Sequence, residues 1–218
     1  MKNILLLIFV LLITILQFGC KDKSIEPINY DDNNIDTIVD RKPNLYIYPT
    51  EEISLSIRID FPNGGKILES IPEYNNSWDV FVKPTGIIND VYEYLFYECK
   101  VPDLTQKTYG WLVARDDLKH FFDNNLSLSG FNEKEIKDFT DYWIPLLKEY
   151  SYYEIYPQYK NTLEKMTIIN FSTVPKNIYR MQYVIRGRDN NSISLQEPII
   201  ETAKREGYFS VEWGVIIK

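Results

Sequence analysis

Between Glu52 and Phe61 the chain alternates without a break: Ile53, Leu55, Ile57, Ile59 and Phe61 on one side, Glu52, Ser54, Ser56, Arg58 and Asp60 on the other. Alternation with a period of two puts five apolar groups on one face and five polar ones in water, which describes a half-buried antiparallel strand. Asn63-Gly64-Gly65 then supplies residues that take positive φ at little cost, and Lys66 to Ile71 reads as the returning strand.

Other β-rich runs are Pro43 to Pro49, Trp78 to Lys83, Val91 to Cys99 and Tyr109 to Ala114. From Arg115 to Tyr150 the period becomes helical. Leu118, Phe121, Phe122 and Leu126 recur at three and four, and Ser129-Gly130 offers a stop. Asn132 with Glu135 makes a capping-box-like start for a second helix, whose apolar stripe is Ile136, Phe139, Trp143, Leu146 and Leu147. Pro145 is expected to kink that helix or shorten its last turn. Strands resume at Tyr152 to Tyr156, Met166 to Phe171, Tyr179 to Arg186 and Phe209 to Ile217. Strands, a helical pair and strands again predict a mainly β (α+β) fold: an antiparallel sheet or sandwich with a two-helix insertion at about 115–150. The expected organisation is a leader over 1–19, a flexible tether over 20–41 and one β-rich domain over 42–218.

The leader carries Lys2 and an apolar run from Ile4 to Leu16, thirteen residues with one polar member, Thr14. As a helix it would extend about 20 Å against a hydrocarbon core of about 30 Å, too short to span comfortably. Gln17-Phe18-Gly19-Cys20 closes it. A basic residue, a short apolar stretch and a small residue before a cut site make a secretory signal. With the cysteine, the segment looks like a bacterial lipoprotein signal, in which the first mature residue's thiol receives a diacylglyceryl group. It departs from the usual pattern, since Gln17 and Phe18 stand where leucine and a small or branched residue are the rule, and Leu16 lies one place early. An ordinary signal peptide and an uncleaved N-terminal anchor are the competing readings. One acyl chain holds a protein reversibly and two or more make attachment stable, so palmitate-type lipidation of Cys20 implies a membrane anchor in the cell envelope, with outer membrane or cell surface preferred.

The full chain carries a net charge of −7, and removing residues 1 to 19 takes away only Lys2, leaving −8 over the 199 residues from Cys20. That balance disfavours nucleic acid, which rewards a basic face, and electrostatic docking on anionic lipid. There are two cysteines; if Cys20 is acylated, Cys99 has no partner for an intramolecular disulfide. Residues 21–42 are polar and turn-forming, with Asn29-Tyr30-Asp31-Asp32-Asn33-Asn34 lacking apolar periodicity. A solvated spacer of about twenty residues spans on the order of 25 Å. The Asp31 to Asn34 cluster lacks the alternating ligands, glycine and terminal glutamate of a calcium loop.

Five blocks, Lys42-Pro43-Asn44-Leu45-Tyr46-Ile47-Tyr48-Pro49-Thr50, Pro72-Glu73-Tyr74 with Trp78, Tyr94-Leu95-Phe96-Tyr97-Glu98, Tyr142-Trp143-Ile144-Pro145-Leu146 and Val211-Glu212-Trp213-Gly214, resemble the recurrent blocks of a group of uncharacterised, mostly bacterial proteins. The likeness covers residues 42–216. It implies one domain and brings no activity, and it implies glycine where Cys99 stands, which speaks against a catalytic thiol.

The residues exclude several chemistries. Ser-His-Asp or Cys-His catalysis needs an imidazole base, and His120, beside Phe121 on the first helix, is the only histidine. One histidine and one free cysteine do not make a zinc site without several carboxylates, and no Walker loop, dinucleotide fingerprint or HExxH is present. No metal and no cofactor are expected. A carboxylate pair, as glycoside hydrolysis requires, is the remaining enzymatic possibility. Glu98, sharing a strand face with Tyr92, Tyr94 and Phe96, is the best single candidate; Arg58, Arg186 or a tyrosine hydroxyl would be its partner in a structural role. Glu212, between Val211 and Trp213, reads as its companion or as solvent-facing. The other class is a binding module: with 17 tyrosines and 4 tryptophans, exposed rings can stack on sugar faces. Trp78 and Trp111 are the rings of first interest, against a core role that β-strand composition favours. The expectation is a lipid-anchored exported protein that binds a ligand, glycan or protein, with a carboxylate-dependent hydrolase or a structural, assembly role as alternatives.

Cys20→Ala is expected to abolish incorporation of labelled palmitate and to leave the precursor uncleaved. Unchanged processing of that variant would rule lipidation out.

Overall fold

The structure is a computed structural model and describes residues 36–218. The leader, Cys20 and most of the expected spacer lie outside the described residues. Ten strands, β1 (Thr37–Tyr48), β2 (Ile53–Asp60), β3 (Lys66–Ile71), β4 (Trp78–Val82), β5 (Leu95–Pro102), β6 (Trp111–Ala114), β7 (Tyr152–Tyr159), β8 (Ile168–Phe171), β9 (Asn177–Arg188) and β10 (Phe209–Ile217), combine with helices α1 (Leu118–Leu128), α2 (Glu133–Trp143) and α3 (Lys160–Leu163). The mainly β fold with a helical pair is present. A seven-stranded sheet runs β3-β5-β1-β10-β9-β7-β6, and a three-stranded one runs β4-β2-β8.

The large sheet is covered on both faces. Leu45, Ile47, Leu95, Tyr97 and Val184 pack with Leu55, Ile57, Trp78 and Phe171 of the small sheet. The alternate residues Tyr46, Tyr183, Val211 and Trp213 pack with Phe122, Phe139 and Trp143 of the helices. β2 fulfils its pattern, Leu55, Ile57 and Ile59 being buried and Arg58 exposed. The turn after it differs from a hairpin: Gly64 and Gly65 take φ of 83° and 146°, but β2 joins the small sheet and β3 the large one. A Cβ on Gly65 would lie 2.8 Å from the Lys100 carbonyl oxygen, so glycine allows the chain to cross close to β5 as it changes sheets.

The helical pair is delimited by its own end signals. Phe131 N–H donates to Leu126 O (3.1 Å) and Gly130 N–H to Ser127 O (2.9 Å), with Gly130 at φ 86°, a Schellman ending for α1. Asn132 and Glu135 form a reciprocal capping box for α2. That helix stops at Trp143, two residues before Pro145, whose missing N–H cannot extend it. The first strand starts earlier than its prolines suggest. Thr37 to Arg41, expected in the spacer, belong to β1; Thr37 to Asp40 pair with β5 from Pro102 to Cys99 and Arg41 with Val215 of β10. Thr37, Ile38 and Val39 are β-branched, and Ile38 is buried.

All strand pairs but one are antiparallel; β9 and β10 run parallel. Residues 189–208 carry the chain back between them without a helix, held by Ala203 N–H to Ser129 O (2.9 Å) and Thr202 Oγ1 to Leu128 O (3.0 Å). The parallel register sets Arg180 directly beside Glu212. Nε of Arg180 donates to Glu212 Oε2 at 2.7 Å, and the guanidinium also donates to Thr167 O at 2.6 Å and Thr167 Oγ1 at 2.8 Å. Tyr97 Oη donates to the other Glu212 oxygen at 2.6 Å. The side chains are 1% and 0% exposed. A polar clamp thus joins β5, β10 and β9 to the segment entering β8, inside the layer between the sheets.

Removing one partner of a buried ion pair strands the other charge, at a cost of about 3–5 kcal/mol. Arg180→Met is expected to lose stability of that order in urea unfolding, and Arg180→Met/Glu212→Leu to recover much of it. A single variant as stable as the parent would remove the clamp from the account.

Candidate functional site

The helices leave one margin of the large sheet open. On the helix side of β5, Phe96 and Glu98 are half-buried and Lys100 is exposed. Here the sheet floor and the end of α2 enclose a groove of about 460 Å³ whose lining includes Lys42, Glu69, Ile71, Tyr94, Phe96, Glu98 and Tyr142.

Two β-bulges build it. In β1 the register with both neighbours shifts between Asp40 and Asn44, and Lys42 takes φ 50°. Bulges re-aim side chains that strict alternation would fix. The Lys42 ammonium stands 4.6 Å from the ring centre of Tyr142, 5.3 Å from Phe96 and 5.4 Å from Tyr94, within reach of cation–π attraction. Burial among these rings pulls its pKa below the ordinary lysine value, against Asp138 and Glu98, which favour the charge. In β3 the register shifts between Ile67 and Glu69. Ile67 packs toward the small sheet, whereas Glu69 and Ile71 line the groove. Glu69 lies directly opposite Glu98.

Other charged groups at the rim have partners. Lys134 pairs with Glu93 at 2.8 Å and with Asp138 at 2.7 Å, and Tyr46 Oη donates to Asp138 at 2.9 Å. Among the described residues Lys42, Glu69 and Glu98 make no ion pair. Tyr142 is 42% exposed, so a ring stands in solvent beside two free carboxylates and an ammonium.

The sequence candidates separate. Glu98 lines this groove. Trp78 is in the core, 1% exposed, its indole N–H donating to Pro72 O at 2.8 Å and its ring packed edge-on to Tyr74 at 4.9 Å; it offers no surface for stacking. Trp111 is half-buried and sits edge-on to Phe121 at 5.3 Å. Glu212 neither faces solvent nor accompanies Glu98: it bonds Tyr97, whose side chain points to the opposite face of β5. Arg180, rather than Arg58 or Arg186, is the buried arginine, and its carboxylate is Glu212. Arg58 pairs with Asp60 at the surface. Lys42 and Tyr142 stand in the blocks that carry the resemblance, but neither they nor Glu69 were candidates for a site. Tyr142 is the only one with a readable signal, as a tyrosine off the apolar stripe of α2.

Thiol chemistry finds no support in the geometry. Burial first, then the nearby carboxylates Asp40 and Glu212, push the Cys99 thiol well up. Cys99 packs between the sheets, whereas His120 is exposed on α1, across the large sheet. Among the described residues no group of three metal-ligating side chains occurs, and no helix is long and apolar enough to cross a membrane. A second groove, about 530 Å³, is lined by Tyr109, Pro157, Tyr159 and Ile199 among others. Its Gln106 is already spent on the backbone of Tyr109 and Pro157, and among the described residues no lysine or arginine lines it.

Protein-family models, curated proteins and solved structures were compared with the chain, and none matches.

One buried acid lies behind the groove. Asp40 is 2% exposed, and the Gln182 amide lies beside it without closing a hydrogen bond. Burial, then the Glu212 charge, raises its pKa well above the carboxyl range. The folded chain therefore keeps this proton to higher pH than the unfolded chain. The resulting stability is complete below the unfolded value of about 3.9 and falls as pH rises, by at most about 1.4 kcal/mol per unit, until the folded-state value is passed. Asp40→Asn is expected to gain on the parent as pH rises above about 4 and to match it at lower pH, read by thermal unfolding across pH. Parallel stability curves would show that Asp40 holds no such proton.

Proposed function

We propose that this chain is an exported, lipid-anchored module that binds a glycan in the groove beside α2. Cys20 supplies the anchor in this reading, and the acidic polar segment after it lifts the β-rich domain off the envelope surface. One observation carries the binding role: the groove joins a solvent-facing ring, Tyr142, to carboxylates at Glu69 and Glu98 and an ammonium at Lys42 that make no ion pair among the described residues. Sugar rings present apolar faces that stack on aromatic rings and hydroxyls that both donate to carboxylates and accept from ammonium. The volume suits a small ligand or a short stretch of a longer one.

A carboxylate-dependent hydrolase is the second reading, favoured by the direct cross-strand opposition of Glu69 and Glu98. Glu69 is exposed, and the apolar enclosure that keeps an acid catalyst protonated is not built around it. Binding is the better account.

Tyr142→Ala is expected to weaken glycan binding about tenfold, equivalent to about 1.4 kcal/mol, with the unfolding temperature unchanged, as followed by calorimetric titration. Binding that survives the substitution, or no glycan bound at all, would overturn the assignment. Release of new reducing ends, abolished by Glu98→Gln, would replace binding with hydrolysis.

A further inference from the structure

We infer that the groove's ligand is an amino sugar whose protonated amine seats between Glu69 and Glu98. This rests on the glycan-binding reading and adds the charge of the sugar to it. Like charges placed directly opposite on a sheet face repel, yet Glu69 and Glu98 are registered in that way. Neither accepts a hydrogen bond or pairs with a cation among the described residues, whereas Glu93 and Asp138 nearby are both matched to Lys134. The cation that lines the groove, Lys42, is committed to the rings of Tyr94, Phe96 and Tyr142. Glu69 and Glu98 against Lys42, with Glu93 and Asp138 sharing the single charge of Lys134, leave the groove and its rim with negative charge in excess.

An anionic sugar would face both carboxylates. A neutral sugar could donate hydroxyls to them but would leave their charges uncompensated. An ammonium on a pyranose ring does both jobs at once, bridging the carboxylates while the ring lies on the apolar floor of Ile71 and Phe96, both of which line the groove. Lys42 sets the direction, because its charge turns a second ammonium toward the acidic end. Behind the rings a further polar group waits: Asn44 is fully buried, registered with Phe96, and hydrogen-bonded to no protein atom through either amide atom. It lies against the Tyr94 and Tyr46 phenols, beneath the lining of the groove.

The test is calorimetric titration of the full chain in detergent with a glucosamine hexamer, an N-acetylglucosamine hexamer and pentalysine, at low and high salt. Expected are binding of the glucosamine hexamer at least about tenfold tighter than of the acetylated one, weakening with salt, and a comparable loss in Glu98→Gln and in Glu69→Gln, with both variants at least as heat-stable as the parent. Equal binding of the two hexamers, unaffected by either substitution but lost in Tyr142→Ala, would overturn the charge assignment and leave glycan binding standing. Pentalysine binding as tightly as the glucosamine hexamer would overturn the sugar ring. Binding of none of the three would overturn this inference, and the glycan-binding reading falls with it only if neutral and acidic glycans also fail.

Discussion

The Arg180 guanidinium and the Glu212 carboxylate, adjacent on the two parallel strands, fix the relation between the layers. Neither can be left in the apolar space between the sheets alone, because an unpaired buried charge costs several kcal/mol. Their remaining valences are therefore met from both sides, by Tyr97 of β5 and by the main chain and hydroxyl of Thr167 before β8. A one-residue slip of β9 against β10 would put Arg180 toward the helices and Met181 toward the small sheet. The pair thus holds register within the large sheet and position between the sheets together.

With that layer closed, the open part of the large sheet is the margin that the helices do not cover. α1 and α2 take the centre of the large sheet, where Phe139 meets Trp213 edge-on at 5.2 Å. The proline after Trp143 ends α2 there, and Tyr142 becomes the last wall before open sheet. Arg205 reinforces the same helix from the crossover, bonding Glu135 at 2.9 and 3.0 Å while its guanidinium lies over Tyr48 and Phe209. Glu135 is also the capping residue of α2, so one carboxylate starts the helix and holds the parallel crossover against it. The groove is consequently framed by rigid elements, which suits a site that must hold a ring and a charge at fixed separation.

Sequence reasoning recovered what local periodicity and end signals determine. The alternation in β2, the capping box at Asn132, the Gly130 stop and the block of two helices between strands were legible because each depends on a few adjacent residues. Partners were not. Glu212, flanked by Val211 and Trp213, has the same alternating pattern whether its face meets water or a second sheet, so only the arrival of β8 and Arg180 distinguishes a solvent carboxylate from a buried one. Trp78 was ambiguous for the same reason. The parallel pairing of β9 and β10 is equally silent, because the connection between them contains no helix to announce it. Of the groove, Glu98 was legible by its aromatic neighbours on one strand face, and its companion was sought on the wrong strand.

The missing companions share a cause. Lys42 lies within a β-bulge and Glu69 directly after one; a bulge adds a residue and reverses the alternation beyond it, so a strict period-two reading assigns such side chains to the wrong face. Without its bulge β3 could not send Ile67 to the small sheet and Glu69 to the groove, two residues apart. The result is a like-charge pair facing across strands, worth a few tenths to about 1 kcal/mol of repulsion. That cost is small beside the loss that would follow from unpairing Arg180, so the doubly covered core can hold the sheet in a register that its exposed margin alone would not choose. An electrostatic mismatch that the fold can sustain but does not need is the kind of feature a ligand of opposite charge would relieve.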